Sequence, residues 1–224
     1  MNNIIRTQWL LLKNRAWIAM GCLTVPIFLL FILLSTSETA AEGFANGSTA
    51  GLAFACALPV FLITYQYTER IQMYEIMAGF KPHQIILGRT AAYLPFTLLF
   101  LIGVSVISLY FDNSAETGLR LVLFGVMTLR AVLGIVFLSP LFKEISFAPL
   151  FSIMLMMFGG TDPETLSHSP LSVFVYEQGL LLAGKINDGF IIKVIVSAVI
   201  SCALYYCIGF VTLQRKIDLE PHRL

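Results

Sequence analysis

Charged residues are scarce in this chain, making up 12% of its 224 residues. Soluble globular domains carry about 25%. Hydrophobic residues make up 58%, against roughly 45–50% in soluble domains. This composition excludes an ordinary soluble domain and predicts an integral membrane protein. No basic run interleaved with aromatic residues occurs, so no nucleic-acid partner is expected.

The chain also lacks the motifs of catalysis and of metal binding. It contains no H-E-x-x-H, G-x-S-x-G or C-x-x-C pattern, and its four cysteines all fall in apolar runs, as buried inert thiols do. Residues 179–186, GLLLAGKI, match G-x-x-x-x-G-K, but Ile186 stands where a phosphate-binding loop needs Ser or Thr. We therefore expect no catalytic residue, no metal site and no bound nucleotide in this chain.

Six apolar runs predict six transmembrane helices in a single all-α domain. A bilayer core of ~30 Å needs about 20 apolar residues in helical form. The runs are residues 16–34, 50–67, 90–111, 119–140, 145–160 and 194–213.

Basic residues are distributed unevenly between the two sides of these spans. An even number of spans places both termini on one side. With the termini in the cytoplasm, ten of the 14 Lys and Arg residues are cytoplasmic, three are outside and Arg130 lies within the fourth span. Cytoplasmic loops carry an excess of basic residues, so the distribution predicts that both termini are cytoplasmic.

Residues 1–14 have the pattern of an amphipathic helix. At 100° per residue, Ile5, Trp9 and Leu12 share one face, while Arg6 and Lys13 point away from it. Such a helix lies in the membrane interface with its apolar face buried. We expect an interfacial helix ahead of the first span.

The segment between spans five and six, residues 161–189, is too interrupted to cross the membrane and too apolar for a solvated loop. Short re-entrant helices in the outer leaflet would explain both properties, because non-helical backbone at that depth must be buried in protein. A packed extracellular cap explains them equally well.

Arg130 is a charge within a predicted span. A charged residue at the centre of a membrane helix costs about 2.5–3.5 kcal/mol, so Arg130 should face protein or water. It either lines a substrate path or a subunit contact, or snorkels along a tilted helix.

The stretch YTERIQMYEIMAGFKPHQIILGR, residues 67–89, carries five charges between two apolar runs. On the predicted topology, residues 68–84 form the first cytoplasmic loop. An aromatic residue and an acidic-basic pair lead into a short helical run, and Pro82 can open the next helix.

This order of residues resembles the coupling-helix region of ABC-2 type permeases, the membrane subunits of type V ABC transporters. The similar "E-R…E…G" pattern of that family lies on a short helix that docks into a groove of the ATPase. An amphipathic N-terminal helix, six spans and broken helices between the last two are also typical of the family. The resemblance implies an ATPase contact through Glu69, Arg70, Met73, Tyr74, Glu75 and Phe80.

The resemblance further implies a permease subunit of an ATP-driven exporter in a bacterial-type plasma membrane. Two ATPase subunits would hold ATP and magnesium, and a second copy of this chain or a related permease would complete the path. Small permeases of the family include exporters of amphipathic peptides, such as those of the phenol-soluble-modulin type, so the expected substrate is an amphipathic peptide or a lipid-like molecule. An ion-coupled secondary transporter and a non-transporting membrane scaffold or immunity protein remain alternatives.

Overall fold

The computed structural model describes residues 2–39, 43–44, 47, 51–52, 54–61, 63, 71–141 and 188–219. Every regular element in these residues is a helix. Four of the helices are long and apolar enough to cross a membrane. The described part therefore has the all-α membrane architecture that the composition predicts. The predicted fifth span and nearly all of the segment 161–189 lie outside these residues.

The helices of the described residues are longer than the apolar runs that predicted them. Predicted spans one, three, four and six fall on α2, α4, α5 and α6, and part of the second predicted span, residues 54–61, is helical. The bounds are α1 (Asn2–Asn14), α2 (Ala16–Thr36), α3 (Ile71–Met77), α4 (Pro82–Phe111), α5 (Ala115–Leu138), a 3-10 turn (Ser139–Leu141) and α6 (Asp188–Leu219).

Helix α4 is central, because it contacts α1, α2, α5 and α6. It begins at Pro82, as predicted, and the Gln84 side-chain oxygen accepts a hydrogen bond of 3.0 Å from the backbone N–H of Lys81. At 1.5 Å per residue, its 30 residues extend about 45 Å, which exceeds the ~30 Å of a bilayer core. The first two turns, as far as Arg89, precede the apolar run and account for about 12 Å of that length.

Helices α2 and α4 run parallel to each other. Ile27 lies against Gly103, and further along both helices the rings of Phe31 and Phe111 meet edge to face at 5.4 Å. Two parallel neighbours in a membrane need a connection that returns across it. The helical residues 54–61 lie within that connection.

Helices α5 and α6 also run parallel. Gly134 lies against Tyr205, and the rings of Phe137 and Tyr206 are 5.6 Å apart. A Cβ atom on Gly209 would run into the Phe137 carbonyl, so glycine permits the close approach of the two helices, as small residues commonly do in membranes. Both helices therefore end on the same side of the bundle.

Several helix ends lie together at one end of the bundle. Because α4 and α5 are antiparallel, the start of α4 and the end of α5 lie together, beside α3 and the end of α6. We call this the α3 side. The turn at residues 112–114 lies at the opposite end.

Side-chain hydrogen bonds close the turn at residues 112–114. The Asp112 carboxylate accepts hydrogen bonds from the hydroxyls of Thr117 and Ser114, at 2.5 and 3.0 Å. The Ser114 hydroxyl caps α5 by accepting a hydrogen bond of 3.2 Å from the Thr117 backbone N–H. The hydrogen bond from Thr117, more than any other interaction, lowers the pKa of Asp112 below its ordinary value. The turn therefore carries a fixed negative charge at neutral pH.

Helix α1 packs against the first turns of α4 through one face. Ile4, Gln8 and Leu12 are buried, at four-residue spacing. Of the predicted face, Leu12 is buried, Ile5 is half-buried and Trp9 is 43% exposed. Burial of the predicted apolar face in the membrane interface stays a prediction.

A tight turn after α3 reverses the chain into α4. Gly79 has φ of 77°, and its N–H bonds the carbonyl of Ile76 while the N–H of Phe80 bonds the carbonyl of Glu75, at 2.9 and 3.3 Å. This pair of hydrogen bonds is a Schellman motif, which needs a left-handed residue after the helix. The turn therefore fixes the position of α3 relative to the start of α4.

We predict that Gly79→Ala destabilises the protein by about 1 kcal/mol, since a left-handed conformation costs an L-residue about that much. A Cβ atom at this position would meet no described atom within 4 Å, so backbone strain alone acts. Thermal unfolding of the purified chain in detergent measures the effect. The control is Gly118→Ala, where a Cβ atom also has open space but φ is not positive. Equal stability of the two variants would contradict the assignment of the turn.

Candidate functional site

A buried ion pair joins α3 to α4 on the α3 side. Nη2 of Arg89 lies 3.0 Å from Oε2 of Glu75, and their side chains are 2% and 6% exposed. Arg89 is two turns into α4, and the turn at Gly79 brings α3 back beside it. The short helix α3 is thus held against α4 by a charge contact inside the protein.

Two further side chains, from α1 and from the end of α5, join the same polar network. Nε2 of Gln8, on α1, donates a hydrogen bond of 3.2 Å to Oε1 of Glu75. Nη1 of Arg89 donates a hydrogen bond of 3.2 Å to the Ser139 hydroxyl, which in turn donates to the Val136 carbonyl at 2.7 Å. The network, which we call the Glu75–Arg89 network, therefore links α1, α3, α4 and the end of α5.

Burial makes this network sensitive to the loss of either charge. Removing two charges from water costs several kcal/mol per ion, and their attraction offsets that cost only when the remaining donors and acceptors are satisfied. Both oxygens of Glu75 accept hydrogen bonds here, and both terminal nitrogens of Arg89 donate, whereas the buried Nε of Arg89 has no hydrogen-bond partner among the described residues. Compared with apolar side chains in the same place, the network adds little to the free energy of unfolding. It can form, however, in few arrangements of the four helices.

The outer face of α3 is apolar and exposed. Tyr74 is 65% and Met77 is 60% exposed, and Phe80, in the following turn, is half-buried. Apolar side chains of this size on a surface often mark a protein contact. Helix α3 therefore presents one face outward and inserts Glu75, on the opposite face, into the protein.

The residues predicted to contact an ATPase fall into three groups in the structure. Tyr74 and Phe80 lie where a partner could reach them, and Glu75 lies in the interior as a member of the network. Glu69, Arg70 and the side chain of Met73 lie outside the described residues. The contact itself stays a prediction.

Arg130 lies inside the protein rather than on its lipid-facing surface. Its side chain is on α5, near the Cys202 sulfur of α6, and the residue is 5% exposed. Such a position avoids the cost of a charge in lipid. Among the described residues, no three His, Cys, Asp or Glu side chains form a group that could hold a metal ion.

Sequence reasoning missed three members of the network, namely Gln8, Arg89 and Ser139. The sequence indicates Arg89 only as a charge that flanks a span, and it gives Gln8 no role. A buried Gln is visible only through its four-residue spacing from Ile4 and Leu12. Nothing in the local sequence marks Ser139 as a partner of Arg89, fifty residues away.

No protein-family model, no curated protein and no solved structure matches this chain.

We predict that replacing one partner of the ion pair lowers the free energy of unfolding more than replacing both partners. Arg89→Met leaves the Glu75 carboxylate buried without a cation and should destabilise the protein by about 3–5 kcal/mol, whereas Glu75→Leu/Arg89→Met should remain within about 1 kcal/mol of the wild type. Equilibrium unfolding of the purified chain in detergent measures the free energies.

The control for this prediction is Arg215→Gln, which removes an exposed cation near the end of α6. Exposed charges contribute about 1 kcal/mol or less, so this variant should unfold near the wild type. Glu75→Leu is measured alone as well. If the double substitution lowers the free energy of unfolding by as much as Arg89→Met and Glu75→Leu together, the two side chains do not interact, which contradicts the ion pair.

Proposed function

We propose that this chain is the membrane permease subunit of an ATP-driven exporter and that α3 is its coupling helix. The observation that carries the proposal is the position of α3, which is exposed on one face through Tyr74 and Met77 and anchored on the other through Glu75. A separate ATPase, in two copies, binds ATP and magnesium and contacts the exposed face. A second copy of this chain or a related permease completes the path.

The Glu75–Arg89 network provides the mechanical link that such a subunit requires. Movement of the ATPase displaces α3, and the ion pair transmits that displacement to Arg89 at the base of α4. Through Gln8 and Ser139 the same displacement reaches α1 and the end of α5. The bundle then changes between two arrangements, and transport is a coupled conformational switch.

The parallel helix pairs support six spans with both termini on the cytoplasmic side. Since α5 and α6 both end on the α3 side, α6 starts on the other side, and the chain between Leu141 and Asp188 has to pass from one side to the other. A span at residues 145–160 provides that passage. With a second span at 50–67, the count is six, and the excess of basic residues then favours a cytoplasmic α3 side.

An amphipathic peptide or lipid-like molecule fits the composition of the spans. The hydroxyls of residues such as Thr97, Ser105 and Ser201 donate hydrogen bonds to backbone carbonyls of their own helices. Arg130 is the charge near the centre of a described span. Such walls do not compensate the desolvation of a sugar phosphate or a small ion. They accept a molecule that keeps its charges at the membrane surface and its apolar face against the helices.

The test is purification of the tagged chain from its native membrane together with its partner. We expect an ATPase at equimolar ratio, and we expect Tyr74→Ser/Met77→Ser to weaken its binding about 30-fold, as loss of a central aromatic anchor does. The control is Tyr110→Ser, which removes an exposed tyrosine (80% exposed) at the opposite end of α4.

Reconstitution of the purified complex in liposomes distinguishes the substrate classes. Amphipathic helical peptides or lipids should stimulate ATP hydrolysis, and a soluble sugar should not. Stimulation by the sugar alone contradicts the proposed substrate. Retention of the ATPase by the Tyr74→Ser/Met77→Ser variant removes α3 from the contact.

A further inference from the structure

An apolar groove runs between α1 and the beginning of α2, on the outside of the bundle. Its volume is about 470 Å³, within the roughly 300–1,000 Å³ of small-molecule sites. The apolar walls come from Trp9 and Leu10 of α1, Met20 of α2 and Phe96 of α4. The exposed fractions of Trp9, Leu10 and Met20 are 43%, 50% and 56%, so the groove is open to its surroundings. The ring of Trp9 contacts that of Phe96 at 5.8 Å.

Two basic side chains border this groove. Arg6 and Lys13 belong to its lining, and both are exposed. Seven residues separate them, which is close to two helical turns, so they lie on the same side of α1. No ion pair of the described residues includes either of them. The groove thus combines an apolar surface with two basic side chains along one edge.

We propose that this groove is a binding site for an anionic phospholipid of the bilayer. The anionic phosphate of the headgroup binds Arg6 and Lys13, and an acyl chain lies against Trp9, Met20 and Phe96. The position fits such a ligand, because α1 precedes the first apolar span and Trp is favoured at the headgroup level. A cationic amphipathic peptide would be repelled by the same two side chains.

The lipid would occupy the gap between α1 and the first span. Helix α1 contacts α4 closely through Ile4, Gln8 and Leu12, but its C-terminal half contacts α2 at few positions. A bound acyl chain fills the space and stabilises α1 against α4. This inference does not depend on the proposed transport function, because it rests on the groove and its charges alone.

Native mass spectrometry of the full-length chain in detergent tests the site. Phosphatidylglycerol and phosphatidylcholine with identical acyl chains are titrated separately, and the fraction of protein that keeps one lipid is measured. We expect phosphatidylglycerol to be retained preferentially, and Arg6→Gln/Lys13→Gln to reduce that preference about 30-fold. This follows from a contribution of about fivefold from each basic side chain near an anionic headgroup.

The control is Lys81→Gln/Arg215→Gln, which removes two exposed cations from other helices. It should keep the preference for phosphatidylglycerol. Equal loss in both double variants means general surface attraction and overturns the proposal, as does the absence of a preference in the wild type. Inorganic phosphate is also added as a competitor. If it displaces the bound lipid as effectively as free phosphatidylglycerol does, the role of the acyl chain is overturned.

A further arm separates the lipid from other occupants. Ala16→Phe places a ring in the groove from an exposed position and should lower retention of both lipids while Arg6 and Lys13 are intact. If this variant instead changes the mass of the assembled protein from dimer to monomer, the groove is an interface between copies and not a lipid site. Competition by a cationic amphipathic peptide would likewise contradict the proposal.

Discussion

The ion pair between Glu75 and Arg89 is the contact on which the arrangement of this protein depends. Both side chains are nearly excluded from solvent, so neither charge can find water if the other moves away. Their hydrogen bonds with Gln8 and Ser139 extend the constraint to α1 and to the end of α5. Four separate parts of the chain therefore meet at one point at the edge of the membrane core.

Such a network restricts the relative positions of the helices more than it raises the free energy of unfolding. An apolar core of equal volume is often as stable as a buried ion pair, so the value of the pair lies in the few helix arrangements it accepts. That property suits the coupling role that we propose for α3. It also accounts for the contrast within α3, where Tyr74 and Met77 face outward and Glu75 faces inward.

The sequence predicted the fold better than the site. Runs of apolar residues identify membrane helices because the bilayer sets their length, and Pro82 marked the start of α4 because its ring fixes φ. The site depends on pairs far apart in the chain, such as Gln8 with Glu75, and no local pattern reports them. Charge alone suggested an exposed Glu75, since acidic residues are rarely buried unless paired. The pairing partner, Arg89, had the same appearance of a solvated loop residue.

Hydrogen–deuterium exchange of residues 71–80 tests most directly whether the ion pair holds α3 in place. The purified chain is compared with the Arg89→Met variant under identical detergent conditions, and the middle of α5 serves as the internal reference. The structure predicts that the amides of α3 exchange about tenfold faster or more in the variant, because the helix loses its anchor, at labelling times too short for the amides of α5 to exchange in either protein. Unchanged protection of α3 would contradict the account and would mean that the turn at Gly79 alone holds the helix.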